Sequence, residues 1–217
     1  MSLSISEKLK VELRGHTALL TIDNPGANTF DTESLPALKD VIKKLNENRE
    51  IYALVITGEG EKFFSAGADL KLFADGDPKT AADMARFFGE GFETLADFRG
   101  VSIAAINGFA MGGGLEVALA CDILVASEEA RFADTHARVG ILPGWGLSQK
   151  LPRLIGLSRA KEISFTGAPV FARQAYEWGL VNHVVEPEEL LPLAKKLAAD
   201  MASIDPAFLA QYKRLID

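Results

Sequence analysis

The feature that most limits how this chain can fold is an apolar stretch at residues 101–121, which carries one charge, Glu116. Its length would suit a membrane span. However, Asn107-Gly108 and the three glycines at 112–114 are turn signals that would break a helix exposed to lipid. The stretch therefore predicts a buried strand, a turn and a buried helix at about 113–120.

Short apolar strands and helices alternate on both sides of this stretch. Residues 52–57 and 123–126 form apolar runs of the kind found in strands covered on both faces, and a helical pattern fills 78–98. Such alternation is typical of an α/β core with parallel strand pairing. Residues 9–14 and 18–22 predict a further strand pair ahead of this core.

Helical patterns also occur near both ends of the chain. Leucine and isoleucine recur at helical spacing across 35–45, after Asp31 or Thr32 as a possible N-cap. Later, 180–185 predicts a strand and 190–201 an amphipathic helix, with a further helical stretch after it. No Ser/Gly/Pro-rich linker precedes the late helices, so we expect them to pack on the core.

Composition excludes several classes of function. The 217 residues carry 23 Lys and Arg against 30 Asp and Glu, a net charge of −7, which disfavours binding to nucleic-acid phosphates. A single cysteine, Cys121, leaves no disulfide framework or multi-cysteine zinc site, and His16, His136 and His183 lack metal-ligand spacing. The first residues show no secretory-signal pattern. We expect a cytoplasmic protein with no metal site and no nucleic-acid or membrane partner.

Glu116 lies in the first turn of an otherwise apolar helix, where burying a charge is costly. It either caps its own helix N-terminus or acts as a general acid or base in an apolar pocket. The glycines at 112–114 leave N–H groups uncovered at the same helix end, where they could bind an anion or a developing oxyanion; otherwise they only permit a tight turn. Three glycines beside a buried acid favour a site.

A second loop of small residues, Ser65-Ala66-Gly67-Ala68, precedes a predicted helix with Asp69 as its N-cap. It also offers N–H groups that no bulky side chain covers. If neighbouring strands bring the two loops together, these groups could form a two-donor oxyanion hole.

Five motifs occur together along nearly the whole chain. They are Ser65-Ala-Gly-Ala-Asp-Leu70, Ile106-Asn-Gly-Phe-Ala-Met-Gly-Gly-Gly-Leu-Glu116, Ala120-Cys-Asp122, Ala130-Arg-Phe132 and Gly140-Ile-Leu-Pro-Gly144. In this combination, order and spacing, the chain resembles the enoyl-CoA hydratase/isomerase (crotonase) family. The resemblance implies an α/β fold, a crotonase-like spiral of β-β-α units with C-terminal helices, assembled as a homotrimer or a dimer of trimers. It also implies an acyl-CoA thioester as substrate and no separate cofactor, because coenzyme A is part of that substrate.

The resemblance further implies roles for individual residues. The N–H groups of Ala66 and Gly113 would hold the thioester oxygen as enolate charge develops. Glu116 falls on the first of two catalytic glutamates, the one that helps to activate or position water in hydratases. The coenzyme A path would be lined, largely through backbone contacts, by Phe64, Ala66, Gly67, Ala68, Asp69, Leu70 and Gly113.

The second catalytic glutamate of the family is replaced in this chain. Aligning Phe132 and Gly140 with the family pattern places His136 where hydratases carry the acid that serves the substrate α-carbon proton. A histidine could donate that proton, since its reference pKa is about 6.5 and shifts easily, or it could be structural. Asp134 could orient it if the loop between them is irregular. The replacement weakens an isomerase assignment.

We therefore predict a lyase of fatty acid metabolism that is enoyl-CoA hydratase-like and adds water to a 2-enoyl-CoA thioester. The alternatives are another crotonase-type reaction, namely decarboxylation, thioester hydrolysis or isomerisation, or a non-catalytic acyl-CoA-binding subunit. Trp145 could border the acyl pocket. We expect a spiral core at residues 1–186 and a C-terminal helical region at 187–217, which looks short beside the family and would affect assembly and pocket closure.

Overall fold

The computed structural model describes residues 2–73, 77–201 and 203–216. Its strands, in chain order, are β1 (Ser2–Ser6), β2 (Leu9–Arg14), β3 (Thr17–Ile22), β4 (Ala53–Gly58), β5 (Phe63–Ser65), β6 (Val101–Ile106), β7 (Phe109–Met111), β8 (Ile123–Ser127), β9 (Arg131–Ala133), β10 (Val170–Phe171) and β11 (His183–Val185). Its α-helices are α1 (Ser34–Glu47), α2 (Pro78–Ala96), α3 (Gly113–Ala120), α4 (His136–Val139), α5 (Leu147–Ile155), α6 (Leu157–Thr166), α7 (Ala172–Glu177), α8 (Leu190–Met201) and α9 (Pro206–Ile216).

Two sheets organise the described residues. The long sheet has the order β1-β2-β3-β4-β6-β8-β11, and the short sheet has the order β10-β9-β7-β5. The first three strands of the long sheet run antiparallel, and from β3 onward its neighbours are parallel. The predicted α/β core with parallel pairing and the predicted N-terminal strand pair are therefore confirmed.

Each repeat of the spiral crosses from the long sheet to the short sheet and then enters a helix. The three successive units are β4-β5-α2, β6-β7-α3 and β8-β9-α4. The predicted crotonase-like spiral of β-β-α units is thus confirmed. The short sheet has no counterpart in the sequence pattern, because its strands of two or three residues are too short to show a period.

The central strands are apolar throughout because helices or further strands cover both of their faces. Every residue of β4 and β6 is buried, and alternate side chains enter two separate clusters. Leu54 and Ile56 join the main core, whereas Val55 points the other way. There it packs in a cluster with Ala194 and Ala198 of α8, so this late helix docks on the sheet as expected.

Two predicted elements differ from those observed. The strand expected at 180–185 contains only His183–Val185, and Asp69 caps a 3₁₀ turn at Leu70–Phe73 rather than an α-helix. Asp31, one of the two possible N-caps, accepts from the N–H groups of Glu33 and Ser34 at the start of α1, although Glu33 occupies the N-cap position. In the described residues, no helix is both long and apolar enough to cross a membrane.

The short sheet decides where the candidate site lies. Its strands β5, β7 and β9 run parallel, so their carboxyl ends meet at one edge. The Ala66–Asp69 loop, the Gly112–Gly114 turn and the Asp134–His136 segment follow those three ends. Residues far apart in the sequence are therefore gathered at one place.

Candidate active site

The two glycine-containing loops lie in close contact, as a two-donor oxyanion hole requires. A Cβ at Gly114 would lie 1.9 Å from the carbonyl oxygen of Ser65. Gly67 has φ +83°, and a Cβ there would lie 2.7 Å from the backbone nitrogen of Gly113. Only glycine lets these two backbones approach so closely without a clash. The glycines therefore serve loop-to-loop packing as well as leaving amides uncovered.

The N–H of Ala66 is not available to a ligand in this arrangement. It donates to the carbonyl of Ala27 at 3.0 Å, and the next N–H, that of Gly67, donates to Ser65 Oγ at 3.1 Å. A backbone N–H has one hydrogen to donate. The expectation that Ala66 supplies an oxyanion donor is therefore corrected, because that hydrogen stabilises the loop itself.

The N–H of Ala68 has the orientation that was expected of Ala66. Ala68 forms a parallel bridge with Phe30, in which Phe30 donates to the Gly67 carbonyl and Asp69 donates to the Phe30 carbonyl. Because successive amides of an extended segment point to opposite sides, the N–H of Ala68 faces away from Phe30. Among the described residues neither this N–H nor that of Gly113 has an acceptor. Ala68 and Gly113 both line one cavity.

Glu116 is completely buried, and its two carboxylate oxygens differ. Oε1 accepts from the N–H groups of Trp145 at 2.8 Å and Leu147 at 3.2 Å. Oε2 has no hydrogen-bond partner among the described residues. The side chain thus holds the segment that leads into α5 and does not cap its own helix. A buried oxygen without a partner costs free energy and indicates a functional role.

His136 is the first residue of α4 and lies between two carboxylates. Its Nδ1 is 2.7 Å from Oδ1 of Asp134, which also accepts from the His136 backbone N–H at 3.1 Å. Its Nε2 is 3.5 Å from Oε2 of Glu116, longer than a charge-assisted hydrogen bond. The structure therefore brings the two predicted catalytic residues together and places the Asp134 carboxylate against the ring.

The two carboxylates control the charge of the His136 ring. Burial alone lowers its pKa, but the hydrogen bond that the ring donates to Asp134 and the nearby Glu116 carboxyl raise the pKa to about 9. Burial would raise the pKa of Asp134, yet its hydrogen bonds with His136 and Ser164 leave that pKa lower than usual. At neutral pH the ring is therefore an imidazolium beside an ionised Asp134.

A cavity of about 310 Å³ opens beside these groups. Of the residues predicted to contact the substrate, Ala66, Ala68, Leu70 and Gly113 line it, and so does His136. The others have different positions. Phe64 is fully buried in the main core, Gly67 packs on Gly113, and Asp69 caps the following 3₁₀ turn.

Aromatic residues form one wall of the cavity. The Trp145 indole stacks on Phe88, with ring centroids 3.5 Å apart and planes at 18°, and Phe92 lies 5.1 Å away. Trp145 therefore borders the cavity, the position that the sequence suggested for it. Phe88 and Met84, which also line it, were not predicted. The four-residue spacing of Met84, Phe88 and Phe92 on α2 is the signal that identifies this face.

The described residues contain no group of three His, Cys, Asp or Glu side chains arranged to hold a metal ion. Cys121 is buried, and burial raises the pKa of its thiol to about 12. Its thiol is therefore unreactive, and Cys121 packs in the core rather than acting as a nucleophile.

Comparison with known proteins places this geometry in one family. The family model described as enoyl-CoA hydratase/isomerase matches residues 12–217. The chain is 38% identical over 208 residues to a short-chain-enoyl-CoA hydratase of Clostridium acetobutylicum, covering 95% of this chain and 80% of the relative. The solved structure of Pseudomonas aeruginosa DspI is 53% identical with a TM-score of 0.95, covering 99% and 82%. An enoyl-CoA hydratase structure from Bacillus anthracis is 35% identical with a TM-score of 0.93, covering 97% and 82%. The chain belongs to the enoyl-CoA hydratase/isomerase (crotonase) family.

Proposed function

We propose that this chain is an enoyl-CoA hydratase, a lyase that adds water to the double bond of a 2-enoyl-CoA thioester. The observation that carries the proposal is the 3.5 Å approach of His136 Nε2 to Glu116 Oε2, beside a cavity lined by Ala68 and Gly113. Hydration of a conjugated thioester needs a base for water, an acid for the α-carbon and donors for the carbonyl oxygen. The name of the Clostridium relative supports the same reaction.

The carbonyl oxygen would be held by the N–H groups of Ala68 and Gly113. Both lie at the meeting point of the two glycine loops, and Gly113 is the first residue of α3, whose N-terminal dipole favours negative charge. When water adds to Cβ, an electron pair moves through Cα onto this oxygen. Two preorganised donors lower the energy of the resulting enolate.

Glu116 would act as the base towards water. Its Oε2 is the carboxylate oxygen left without a partner, while two N–H groups hold Oε1 and thereby fix the direction of the group. Water bound at Oε2 gives one proton to Glu116 as its oxygen bonds to Cβ. The buried carboxylate is thus oriented before the substrate enters.

His136 would act as the acid towards Cα. Its imidazolium gives the Nε2 proton to the enolate carbon as the enolate electrons form the Cα–H bond, which completes the addition of one hydroxyl and one hydrogen. The turnover leaves Glu116 protonated and His136 neutral. Because Oε2 and Nε2 lie 3.5 Å apart, the proton on Glu116 returns to His136 with a small movement and restores both groups.

The cavity and surface support further parts of the proposal. A volume of about 310 Å³ with an aromatic wall suits a short apolar acyl group, and coenzyme A enters as part of the substrate. Large apolar side chains, among them Leu142, Phe165 and Leu215, are 75–89% exposed. Such surfaces mark protein contacts, so we propose a homotrimer or dimer of trimers. We also propose a role in fatty acid metabolism in the cytoplasm, where a free cysteine such as Cys121 is usual.

A substrate panel tests the proposed reaction. Purified protein is incubated with short and medium 2-enoyl-CoAs, malonyl-type CoAs, 3-oxoacyl-CoAs and saturated acyl-CoAs, and products are identified by mass spectrometry. We expect a gain of one water on the 2-enoyl-CoAs alone. Decarboxylation or release of free coenzyme A without hydration would assign a different reaction to the same site. Binding without turnover of any compound would indicate a non-catalytic subunit.

A further inference from the structure

The Asp134 carboxylate is on the opposite edge of the His136 ring from the reacting side. One of its oxygens, Oδ1, receives both the ring Nδ1 at 2.7 Å and the His136 backbone N–H at 3.1 Å. This double contact ties the ring to its own backbone and leaves Nε2 as the atom that faces Glu116. Asp134 is itself buried.

We infer that Asp134 is a positioning residue for the reaction, which holds the His136 ring so that its Nε2–H faces Glu116 and the cavity. The inference rests on the proposed hydration and adds to it the residue that makes a histidine usable as the acid. A neutral histidine has one ring N–H, and a carboxylate at Nδ1 would place that hydrogen on Nδ1. Only the doubly protonated ring carries a hydrogen at Nε2, so the acid must be the imidazolium.

The surroundings of the ring show which groups maintain this charge. Glu116 faces it from α3 and Asp134 from the preceding loop. Arg138 on the same short helix turns its guanidinium away, to the carbonyl of Thr166. Lys161 of α6 lines a second cavity, which Asp134 and His136 also line.

From α2, the residues that line the cavity are Met84, Ala85 and Phe88, which carry no charge. The two carboxylates therefore outweigh the desolvation of the ring. If the charge at Asp134 is removed, only Glu116 raises the pKa of His136, while the burial that lowers this pKa is unchanged.

Asp134→Asn separates this role from a merely structural one, because it keeps the side-chain shape and removes the charge. We expect the titration midpoint of His136 in the intact protein, followed by NMR, to fall from about 9 towards the reference value of about 6.5. The chain has only three histidines, so His136→Gln identifies the signal. In the same variant the alkaline limb of the pH profile of kcat/KM should move to lower pH. Activity at neutral pH should fall roughly 10- to 100-fold.

Two further variants keep the test decisive. Asp134→Glu retains a carboxylate, so its His136 midpoint should remain above the reference value even if the fold is strained. Asp40→Asn changes an exposed aspartate on α1 and should alter neither readout. An unchanged His136 midpoint in Asp134→Asn, or a uniform loss of rate with a fixed alkaline limb, would overturn the inference. If the wild type hydrates no 2-enoyl-CoA, the proposed function fails while the NMR titration still decides the role of Asp134.

Discussion

The backbone N–H of Trp145 donates a 2.8 Å hydrogen bond to Oε1 of Glu116, while the Trp145 side chain forms a wall of the adjacent cavity. One residue thus orients the buried carboxylate through its main chain and shapes the acyl site through its indole. The other carboxylate oxygen remains open towards His136. The cavity and the Glu116–His136 contact therefore both depend on Trp145.

Glu116→Gln should abolish most hydration while preserving the fold. The glutamine carbonyl can still accept from Trp145 and Leu147, but it cannot take a proton from water. We expect kcat to fall by roughly 10²- to 10⁴-fold, measured as the loss of 2-enoyl-CoA, with a cooperative thermal transition retained. Glu93→Gln, at an exposed position on α2, is the matched control. Full turnover in Glu116→Gln would remove this residue from the chemistry.

Trp145→Ala should change which acyl groups the enzyme prefers. The variant keeps the backbone N–H to Glu116 but loses the indole that stacks on Phe88 and Phe92. We expect a destabilisation of about 2–4 kcal/mol and a relative gain in kcat/KM for longer or bulkier 2-enoyl-CoAs.

Trp178→Ala is the control for this experiment, because Trp178 packs against the core without being one of the cavity-lining residues. Its free energy of unfolding should also fall, without a change in the ratio of kcat/KM between short and long acyl chains. An identical chain-length profile for Trp145→Ala and wild type would contradict the assigned role of the indole.

Gly113→Ala should damage the proposed oxyanion hole. The added Cβ would lie 2.7 Å from Cζ3 of Trp145 and 3.3 Å from Cα of Gly67, so the indole and the facing loop must shift to accept it. We therefore expect a loss of kcat of roughly 10²-fold or more, together with a lower melting temperature. Gly89→Ala on α2 meets no atom within 4 Å and should stabilise the helix by about 1 kcal/mol. Wild-type kcat in Gly113→Ala would argue against the donor role.

The contribution of His136 to stability should decrease as the pH rises. Its pKa is about 9 in the folded protein and about 6.5 when unfolded, so the folded state binds this proton more tightly. The resulting stabilisation is fully present below about pH 6.5, declines between 6.5 and 9 and is absent above that range. At its maximum it is about 3 kcal/mol, at 1.4 kcal/mol per pKa unit.

Urea unfolding of wild type and His136→Gln at several pH values measures this contribution. The gap between their unfolding free energies should be largest at about pH 6 and should narrow through about pH 9. His183→Gln, which replaces an exposed histidine on β11, is the control for removing an imidazole away from the site. A gap that is independent of pH would show that His136 is not protonated preferentially in the folded state.

Much of the framework followed from local sequence pattern. The apolar runs of β4 and β6 indicated strands covered on both faces, and the observed helix α3 has the predicted bounds, Gly113–Ala120. Glycine content and one isolated acid were enough to single out Glu116. These features are visible locally because burial and helix geometry impose their own spacing on the chain.

The assignment of Ala66 as an oxyanion donor failed for a tertiary reason. Whether an N–H is free depends on which distant carbonyl accepts it, and Ala27 accepts that of Ala66. The bridge to Phe30 turns the N–H of Ala68 to the other side. The residue pattern is enough to identify the loop. Which N–H of the loop remains free depends on the chain segment that lies beside it.

The sequence motifs were sufficient to recognise the family, and the resemblance in turn implied the α/β spiral and the replacement of a second glutamate by His136. The isolated acid Glu116 was evident from the residues themselves. The tertiary contacts show in addition that His136 is held between Asp134 and Glu116 and that the Trp145 N–H binds one oxygen of Glu116. They also show that the N–H of Ala66 is taken by the carbonyl of Ala27, whereas that of Ala68 has no acceptor among the described residues. These contacts depend on the tertiary structure because the parallel strands of the short sheet end at one edge. Residues that are far apart in the sequence become neighbours at that edge, where their charges and hydrogen bonds depend on one another.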